Sequence, residues 1–344
     1  MELQIKYEFD PIFETLGLLY SSAQEDAKDE IVCRLCELGV DGEAFYRKYY
    51  RLIERYESIF KKYRTVSRHM DFFFRPEEKE FFLLLSVLLT ENRHWFDSLD
   101  MITDRQLRNL IGFVIREDGE SVTSLQTIPE LHMDTEKDVI ALLSALETDD
   151  ESLKWHLLEF MQKPKYWLGI LIDLVKNNIP AYEKALENML GPLAPLMKSY
   201  EKYEDKQFQK LAQTCAPGST VYPTFIAGVS QMVFYTQAYQ GIFMEDLLKK
   251  NASGDEKKAL LISRMKALSD KSKLDILCQL KKSDKYNLEL AEAMHLSAST
   301  MSHHMSVLFA CGFVGVDKKE GRVYYCLEEE TVAECIDDLR RLLL

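Results

Sequence analysis

Glycine and proline are scarce in this sequence, at 14 and 9 of 344 residues. Sandwich folds, collagen-like chains and disordered tails use more of these turn and breaker residues, so the scarcity disfavours those classes. A long apolar run is also lacking, since the longest lies around "FFLLLSVLL" and is too short to span a bilayer. The opening "MELQIKYEFD" lacks the apolar stretch of a signal peptide. We therefore expect a soluble, cytoplasmic, mainly helical protein with no membrane partner.

Disulfide frameworks and catalytic motifs are not apparent either. The seven cysteines are odd in number and scattered, which favours reduced thiols. Cys33 and Cys36 form one C-x-x-C without a second pair, a pattern more typical of half-buried thiols than of a zinc or redox site. No G-x-S-x-G, H-E-x-x-H or phosphate-binding glycine loop occurs. We predict that the protein is not an enzyme and has no cofactor and no metal site.

The negative charge is unevenly distributed. The net charge is −13. From Glu256 to the end, however, fourteen basic residues balance fourteen acidic ones. Between Lys257 and Arg322 twelve basic residues face seven acidic ones, so this part of an acidic protein is basic. A local basic zone of this kind is suited to nucleic-acid phosphates.

The sequence predicts two domains. The stretch "LLKKNASGDEKKALL" is the strongest linker signal, because Asn, Ser, Gly and a charge cluster lie between two helical patterns. It separates a predicted N-terminal domain, 1–250, from a C-terminal domain, 256–344. The first has mainly helical periodicity, with "LQIKYEF" and "STVYPTFI" as a possible small strand pair. We assign it a sensory or dimerisation role.

The C-terminal segment has the element order of a winged helix-turn-helix domain. Two amphipathic helices precede "NLELAEAMH", with Asn287 as candidate N-cap, and "LSASTMSHHMSVLFACG" follows after a tight turn. Ser297 is positioned to cap this second helix and Gly312 to end it. Two short strands joined by "KKEG" and a last helix complete the order.

Residues from about Lys266 to Leu327 resemble the ArsR-type winged-helix regulators. "KALSDKSKLDIL" is similar to the start of that family's domain, although the family usually has Pro and Arg where this chain has Lys271 and Lys273. "LELAEAMHLSASTMSHHMSVLFACGFV" is similar to its helix-turn-helix and "KKEGRVYYCL" to its wing. The resemblance implies a homodimer that binds double-stranded DNA and regulates transcription, and we expect a repressor.

The resemblance also bears on metal binding. The family's metal sensors use cysteines in the helix that reads "LELAEAM" here, or His and acidic ligands in the last helix. This chain has no cysteine in the first helix and no histidine after His304. Adjacent histidines on a helix point about 100° apart, so His303 and His304 cannot share a metal ion.

Helix periodicity divides the second helix into two faces. Met301, Met305 and Leu308 share the face that must pack inward, whereas His303 lies opposite and His304 lies near the buried edge. His304 can equally pack at the domain edge or touch a phosphate. Small uncharged hydrogen-bonding groups on the outer face suit base edges in the major groove. The predicted base-contacting residues are Ser299, Thr300, Ser302, His303 and Ser306. The predicted phosphate-binding residues are Lys271, Lys273, Lys318, Lys319 and Arg322.

One N-terminal stretch, Leu211 to Met244, has no charged residue. It is either the central core helix of its domain or the lining of a pocket or partner surface, because aromatic and amide groups suit a small organic ligand or a peptide. The candidate ligand-binding residues are Tyr222, Phe225, Gln231, Tyr235 and Tyr239. The protein would then respond to a small-molecule or protein effector. The alternative function is a protein-interaction module whose winged helix does not bind DNA.

Overall fold

A computed structural model describes most of the chain. The described residues are 2–24, 28–37, 40–75, 78–116, 125–146, 151–202, 205–249, 254–296, 298–319 and 322–344.

Helices dominate the fold, as the sequence predicts. In chain order the elements are β1 (Gln4–Ile5), α1 (Pro11–Ser21), α2 (Lys28–Glu37), α3 (Gly42–Phe45), a π-helical segment (Tyr46–Tyr50), α4 (Arg51–Tyr63), α5 (Met70–Phe73), α6 (Lys79–Glu91), α7 (Trp95–Ser98), α8 (Asp104–Arg116), α9 (Glu136–Ser144), α10 (Glu151–Gln162), α11 (Pro164–Tyr200), α12 (Lys206–Cys215), β2 (Thr220–Thr224), β3 (Gln231–Val233), β4 (Gln237–Gly241), α13 (Met244–Lys249), α14 (Gly254–Ser269), α15 (Lys271–Leu280), α16 (Asn287–Met294), α17 (Ala298–Ala310), β5 (Val314–Lys319), β6 (Arg322–Leu327) and α18 (Glu329–Leu343). Short 3₁₀ turns lie at Leu99–Met101 and Leu125–Thr127.

The chain packs as two compact units. The first unit comprises 1–26, 51–118 and 122–243, and the second comprises 27–50, 119–121 and 244–344, as far as these residues are described. The second unit thus includes α2 and α3 from the N-terminal part of the sequence. That the segments 1–250 and 256–344 fold independently stays a prediction.

The core of the first unit is built from amphipathic helices. Helix α4 buries Ile53, Tyr56 and Phe60 on one face, and it packs along the 37-residue helix α11. Helix α1 begins after Asp10, whose carboxylate accepts a hydrogen bond from the Ile12 backbone N–H at 3.1 Å. This cap satisfies a donor at the helix start that otherwise has no partner.

A four-stranded sheet completes the first unit. Its order is β1-β2-β4-β3, with β1 and β4 parallel to β2 and β3 antiparallel to β4. The suggested pairing of the first two strands is therefore correct, with Gln4 opposite Thr220.

The core-helix interpretation of Leu211–Met244 is wrong. Its start, up to Cys215, belongs to α12, and the part that follows contains the strands β2, β3 and β4 with loops between them. Gly218 has a φ of +82° and turns the chain out of α12. At Gly241 a Cβ atom would lie 2.2 Å from the Gly228 carbonyl oxygen. A side chain there would therefore separate the strand from the neighbouring loop.

The second unit contains the predicted winged helix. Its core includes Ile276 of α15, Leu290 of α16, Met301 and Leu308 of α17, and Phe313 before β5, all buried. The strands β5 and β6 form an antiparallel hairpin. Among the described residues, no helix is both long enough and apolar enough to cross a membrane.

Candidate nucleic-acid interface

Two left-handed residues frame the second helix of the helix-turn-helix. His295 has a φ of +54°, and the N–H of Leu296 donates to the Ala291 carbonyl at 3.0 Å, which ends α16 and turns the chain sharply. At the end of α17, Gly312 has a φ of +75°, and the N–H of Phe313 donates to the Leu308 carbonyl at 3.0 Å. Both ends are Schellman motifs. The predicted stop at Gly312 is therefore present in the structure.

Two capping predictions have different outcomes. Asn287 is the first residue of α16 rather than its cap, because Tyr286 occupies the cap position and its backbone N–H donates to Glu289 at 3.2 Å. Ser297 lies outside the described residues.

The inner and outer faces of α17 follow the predicted period. Met301, Met305 and Leu308 are buried. Thr300 and Ser306 are exposed, and His304 is half-buried. Ser299, Ser302 and His303 belong to α17, but their side chains lie outside the described part of the structure. The helix therefore turns hydroxyl groups outward while its methionines anchor it to the core.

Three residues that are predicted to contact phosphates lie at one end of the hairpin that forms the wing. In the β5–β6 register Lys319 lies opposite Arg322 and Lys318 opposite Val323. The side chains of Lys318, Lys319 and Arg322 lie outside the description. Lys285 extends the sheet, because it exchanges backbone hydrogen bonds with Tyr325 at 3.1 and 2.7 Å.

The two lysines at the start of α15 differ in their surroundings. Lys271 is exposed, whereas Lys273 is 8% exposed and its ammonium lies 2.9 Å from the Asp270 carboxylate. Burial opposes ionisation of Asp270, but hydrogen bonds from Lys273 outweigh it and lower the pKa of that carboxyl. Asp270 caps α15 through the Lys273 backbone N–H at 3.1 Å. Lys273 thus takes part in a cap, a contact that its position in the sequence does not predict.

Arg264 of α14 is a residue near α17 that the sequence does not predict as part of the site. Its side chain is buried, and its Nε donates to the Cys311 carbonyl at 3.1 Å, directly after the last residue of α17. The guanidinium carbon lies 5.8 Å from the centre of the Phe313 ring. A cation at the C-terminus of a helix is favourable, because carbonyl groups there carry partial negative charge. An arginine inside the apolar pattern "ALLISRMKAL" was the only available signal.

Cysteines of the second unit lie in different environments. Cys311 and Cys335 are buried, whereas Cys278 is exposed. Burial raises the pKa of the Cys311 thiol to about 11, which keeps it protonated at neutral pH.

Cys33 and Cys36 are exposed, not half-buried as predicted, and they line a cavity of about 340 Å³. Its other lining residues are Lys266, Ala267, Ser269, Asp270, Lys273 and Val307. No group of three or more His, Cys, Asp or Glu residues arranged to hold a metal ion occurs in the described ranges.

The candidate ligand residues of the first unit belong to its sheet and the adjoining loops. Tyr239 is fully buried, and its hydroxyl donates to Asp10 at 2.5 Å. Arg93 binds the same carboxylate through both terminal nitrogens, at 3.0 and 2.6 Å, and its guanidinium carbon lies 5.4 Å from the Tyr222 ring centre. Tyr222 itself is half-buried. These contacts join β2 and β4 to α1.

The other three candidates also have partners in the fold. Phe225 is fully buried, with its ring centre 4.7 Å from that of Tyr56. The Gln231 amide donates to Asp205 at 2.7 Å. The Tyr235 backbone N–H donates to Glu91 at 3.0 Å. A ligand-binding role for the five residues stays a prediction.

A buried carboxyl group lies at the end of β2. Glu14 of α1 is fully buried and accepts hydrogen bonds from the Thr224 hydroxyl at 2.7 Å, the Phe225 N–H at 2.8 Å and the Tyr56 hydroxyl at 3.2 Å. Burial raises its pKa from 4.5 to about 7, although these hydrogen bonds act in the opposite direction.

Comparison with known proteins finds a family match within the second unit. A family model described as "Bacterial regulatory protein, arsR family" matches residues 270–316. The transcriptional activator HlyU of Vibrio cholerae serotype O1 is 31% identical over 88 residues, which is 26% of this chain and 82% of that protein. No solved structure matches the chain.

Proposed function

Because this chain belongs to the arsR family of bacterial regulatory proteins, we propose that it binds a pseudo-palindromic operator as a homodimer and represses transcription under control of its N-terminal part. The observation that carries the proposal is helix α17, whose methionines are buried while Thr300 and Ser306 are exposed. A helix presented in this way beside a two-stranded wing is the arrangement that reads DNA in winged helix-turn-helix domains.

Base reading and phosphate binding are assigned to different parts of the winged helix. The bases are read from the outer face of α17, by Ser299, Thr300, Ser302, His303 and Ser306. Phosphates are bound by Lys271, Lys318, Lys319 and Arg322. Lys273 contributes indirectly, since its ammonium is bound to Asp270 and stabilises the start of α15.

The homodimer is supported by exposed apolar residues on two helices of the second unit. Ile262 and Met265 on α14 are 47% and 40% exposed, and Ile336 and Leu343 on α18 are 61% and 70% exposed. Helices α14 and α18 contact each other, so these residues belong to one region of the unit. Burying them against a second copy removes apolar surface from water. Two copies related by a two-fold axis then match a pseudo-palindrome.

The proposed control requires an effector that distinguishes two states of the protein. A small organic molecule or a protein partner bound to the first unit releases DNA only as far as it prefers the non-binding state. The relative in Vibrio cholerae carries the name of an activator. A reporter gene measured with and without the protein distinguishes repression from activation here.

Fluorescence anisotropy tests the proposal directly. The full chain is titrated into labelled duplex from the region upstream of its own gene and into random duplex of the same length. We expect the upstream DNA to bind at least about 10³-fold more tightly than random DNA. Equal affinity for both duplexes would refute sequence-specific regulation.

Absence of binding to either duplex would favour the alternative, a protein-interaction module. That alternative is motivated by α17, which carries no charged residue in a chain of net charge −13.

A further inference from the structure

Helix α4 of the first unit carries a row of basic side chains that the winged helix does not explain. Arg51, Arg55 and Lys62, together called the basic stripe, are exposed. At 100° per residue they fall within about 40° of one another around the helix. Ile53, Tyr56 and Phe60 are buried on the opposite side. The stripe is therefore the outward centre line of an amphipathic helix.

The charge of this segment contrasts with that of the chain. Residues 51–68 contain six basic and two acidic residues, whereas the whole protein has a net charge of −13. Of the two acidic residues, Glu57 accepts a hydrogen bond from Ser21. Within the described ranges, no carboxylate oxygen lies within 4.0 Å of the charged groups of Arg51, Arg55 or Lys62. Their positive charge is thus not neutralised by ion pairs within the fold.

Further cations extend the stripe at its C-terminal end. The Lys62 ammonium lies 5.5 Å from the ring centre of Tyr63, and the Lys184 ammonium of α11 lies 5.7 Å from the same ring. Tyr63 is 46% exposed. The end of α4 therefore presents an accessible aromatic ring between two lysines.

We propose that the basic stripe of α4 binds phosphates of the DNA that flanks the operator. This inference rests on the proposed function, because the winged helix supplies the DNA. Arg51 and Lys62 are separated by about 16 Å along the helix, at a rise of 1.5 Å per residue. Duplex DNA carries one charge per about 1.7 Å of its axis, so several phosphates lie within that length.

The stripe and the winged helix belong to the same chain, so weak phosphate contacts of the stripe can still add to DNA affinity. Non-specific phosphate binding alone has dissociation constants of about 10⁻⁴ to 10⁻⁶ M. Once the winged helix holds the operator, a second site on the same chain meets flanking DNA at an effective concentration that can reach about millimolar. Occupancy of the stripe then depends on the presence of flanking DNA, and it adds affinity without adding sequence preference.

The experiment compares two labelled duplexes with the full-length protein. The core duplex contains only the upstream segment that the variant Arg51→Gln, Arg55→Gln, Lys62→Gln protects from nuclease, and the long duplex adds about 20 bp, two helical turns, at each end. We expect the long duplex to bind the parent about tenfold or more tightly, with a steeper salt dependence of about 0.9 in slope per phosphate bound.

Three variants identify the source of this length advantage. The triple variant Arg51→Gln, Arg55→Gln, Lys62→Gln should lose the advantage and still bind the core duplex like the parent. A control variant removes the same charge from exposed positions elsewhere in the first unit, by Lys198→Gln, Lys206→Gln and Lys210→Gln. It should retain the tighter binding to the long duplex. The charge-preserving variant Arg51→Lys, Arg55→Lys, Lys62→Arg should also retain the tighter binding to the long duplex.

The outcomes separate this inference from the proposed function. A parent that binds core and long duplexes equally, or a Gln variant of the stripe that keeps the length advantage, would overturn the role of the stripe while leaving operator binding intact. A loss of advantage in the Lys198, Lys206 and Lys210 variant would assign the effect to net charge, and it would also overturn the role. Failure of the parent to bind the core duplex specifically would reject the proposed function and this inference with it.

Discussion

His303 and Lys319 occupy different positions in the winged helix, so their replacement should change DNA binding in different ways. His303 belongs to α17, on the side of the helix that its period directs away from the buried methionines. We predict that His303→Ala costs about 1–3 kcal/mol of binding free energy and relaxes preference at one position of each half-site. Anisotropy against operators with single base changes measures this effect.

Lys319→Ala provides the comparison within the same domain. Lys319 lies opposite Arg322 in the wing register. Loss of a phosphate contact should weaken binding to every sequence and reduce the salt slope by about 1. If both variants bind specific and random DNA like the parent, the assignment of bases to α17 and phosphates to the wing is wrong.

Arg264 tests how the recognition helix is held at its C-terminal end. Arg264→Leu removes the donor to the Cys311 carbonyl and leaves a polar group there without its bond. We predict a loss of about 1–3 kcal/mol in unfolding free energy. Hydrogen exchange should accelerate in the last turn of α17, whereas Arg340→Gln, which removes an exposed charge from α18, should leave it unchanged. Equal exchange in both variants would show that Arg264 does not hold the helix.

At the scale of elements, the exposed apolar residues of α14 and α18 should decide oligomeric state. Ile336 is 61% exposed, so Ile336→Glu leaves the fold of the unit undisturbed but places a charge in the proposed dimer interface. We predict a monomer by sedimentation at micromolar concentration and a large loss of operator affinity. Leu274→Glu, at a 44% exposed position on α15, should stay dimeric. A parent that is monomeric with and without DNA would contradict the prediction.

Elements with strong periodicity could be predicted from the sequence. The inner face of α17, its stop at Gly312 and the wing all follow from apolar spacing and glycine position. Strands β3 and β4 could not be predicted, because their stretch is uncharged and apolar residues occur in it at both helical and strand spacing. Strand β4 pairs with β2, and β2 pairs with Gln4 and Ile5, which are far away in sequence.

Contacts of single polar side chains could not be predicted from the sequence either. Nothing in the spacing of Lys271 and Lys273 indicates that one is exposed and the other is bound to Asp270. Burial of Arg264 depends on how α14 packs against the end of α17, and local sequence does not encode that packing.

The whole molecule should unfold in two steps, one for each compact unit. The unfolding step of the first unit can be recognised by its pH dependence, because Glu14 lies in that unit. Its pKa is raised from 4.5 to about 7 in the folded protein. Its stabilising contribution is therefore complete below pH 4.5, and it declines as the pH rises through about 7 and the buried carboxyl ionises. We predict a loss of about 3 kcal/mol in unfolding free energy by pH 8.

Glu14→Gln removes the titrating group while keeping an amide oxygen for the Thr224 and Phe225 donors. Calorimetry from pH 5 to 8 should show one transition of the parent falling with pH and a smaller fall in the variant, with the other transition unaffected. An identical pH dependence in parent and variant would contradict the role of Glu14.

The pairing of β1 with β2 has a consequence for how the protein is made. Gln4 and Thr220 are partners although more than two hundred residues separate them. A ribosome adds about 5–20 residues per second, so the first strand waits for roughly 10–40 s before its partner emerges. During that interval Gln4 and Ile5 have no strand partner, so the first strand joins the sheet only after nearly two thirds of the chain has been made.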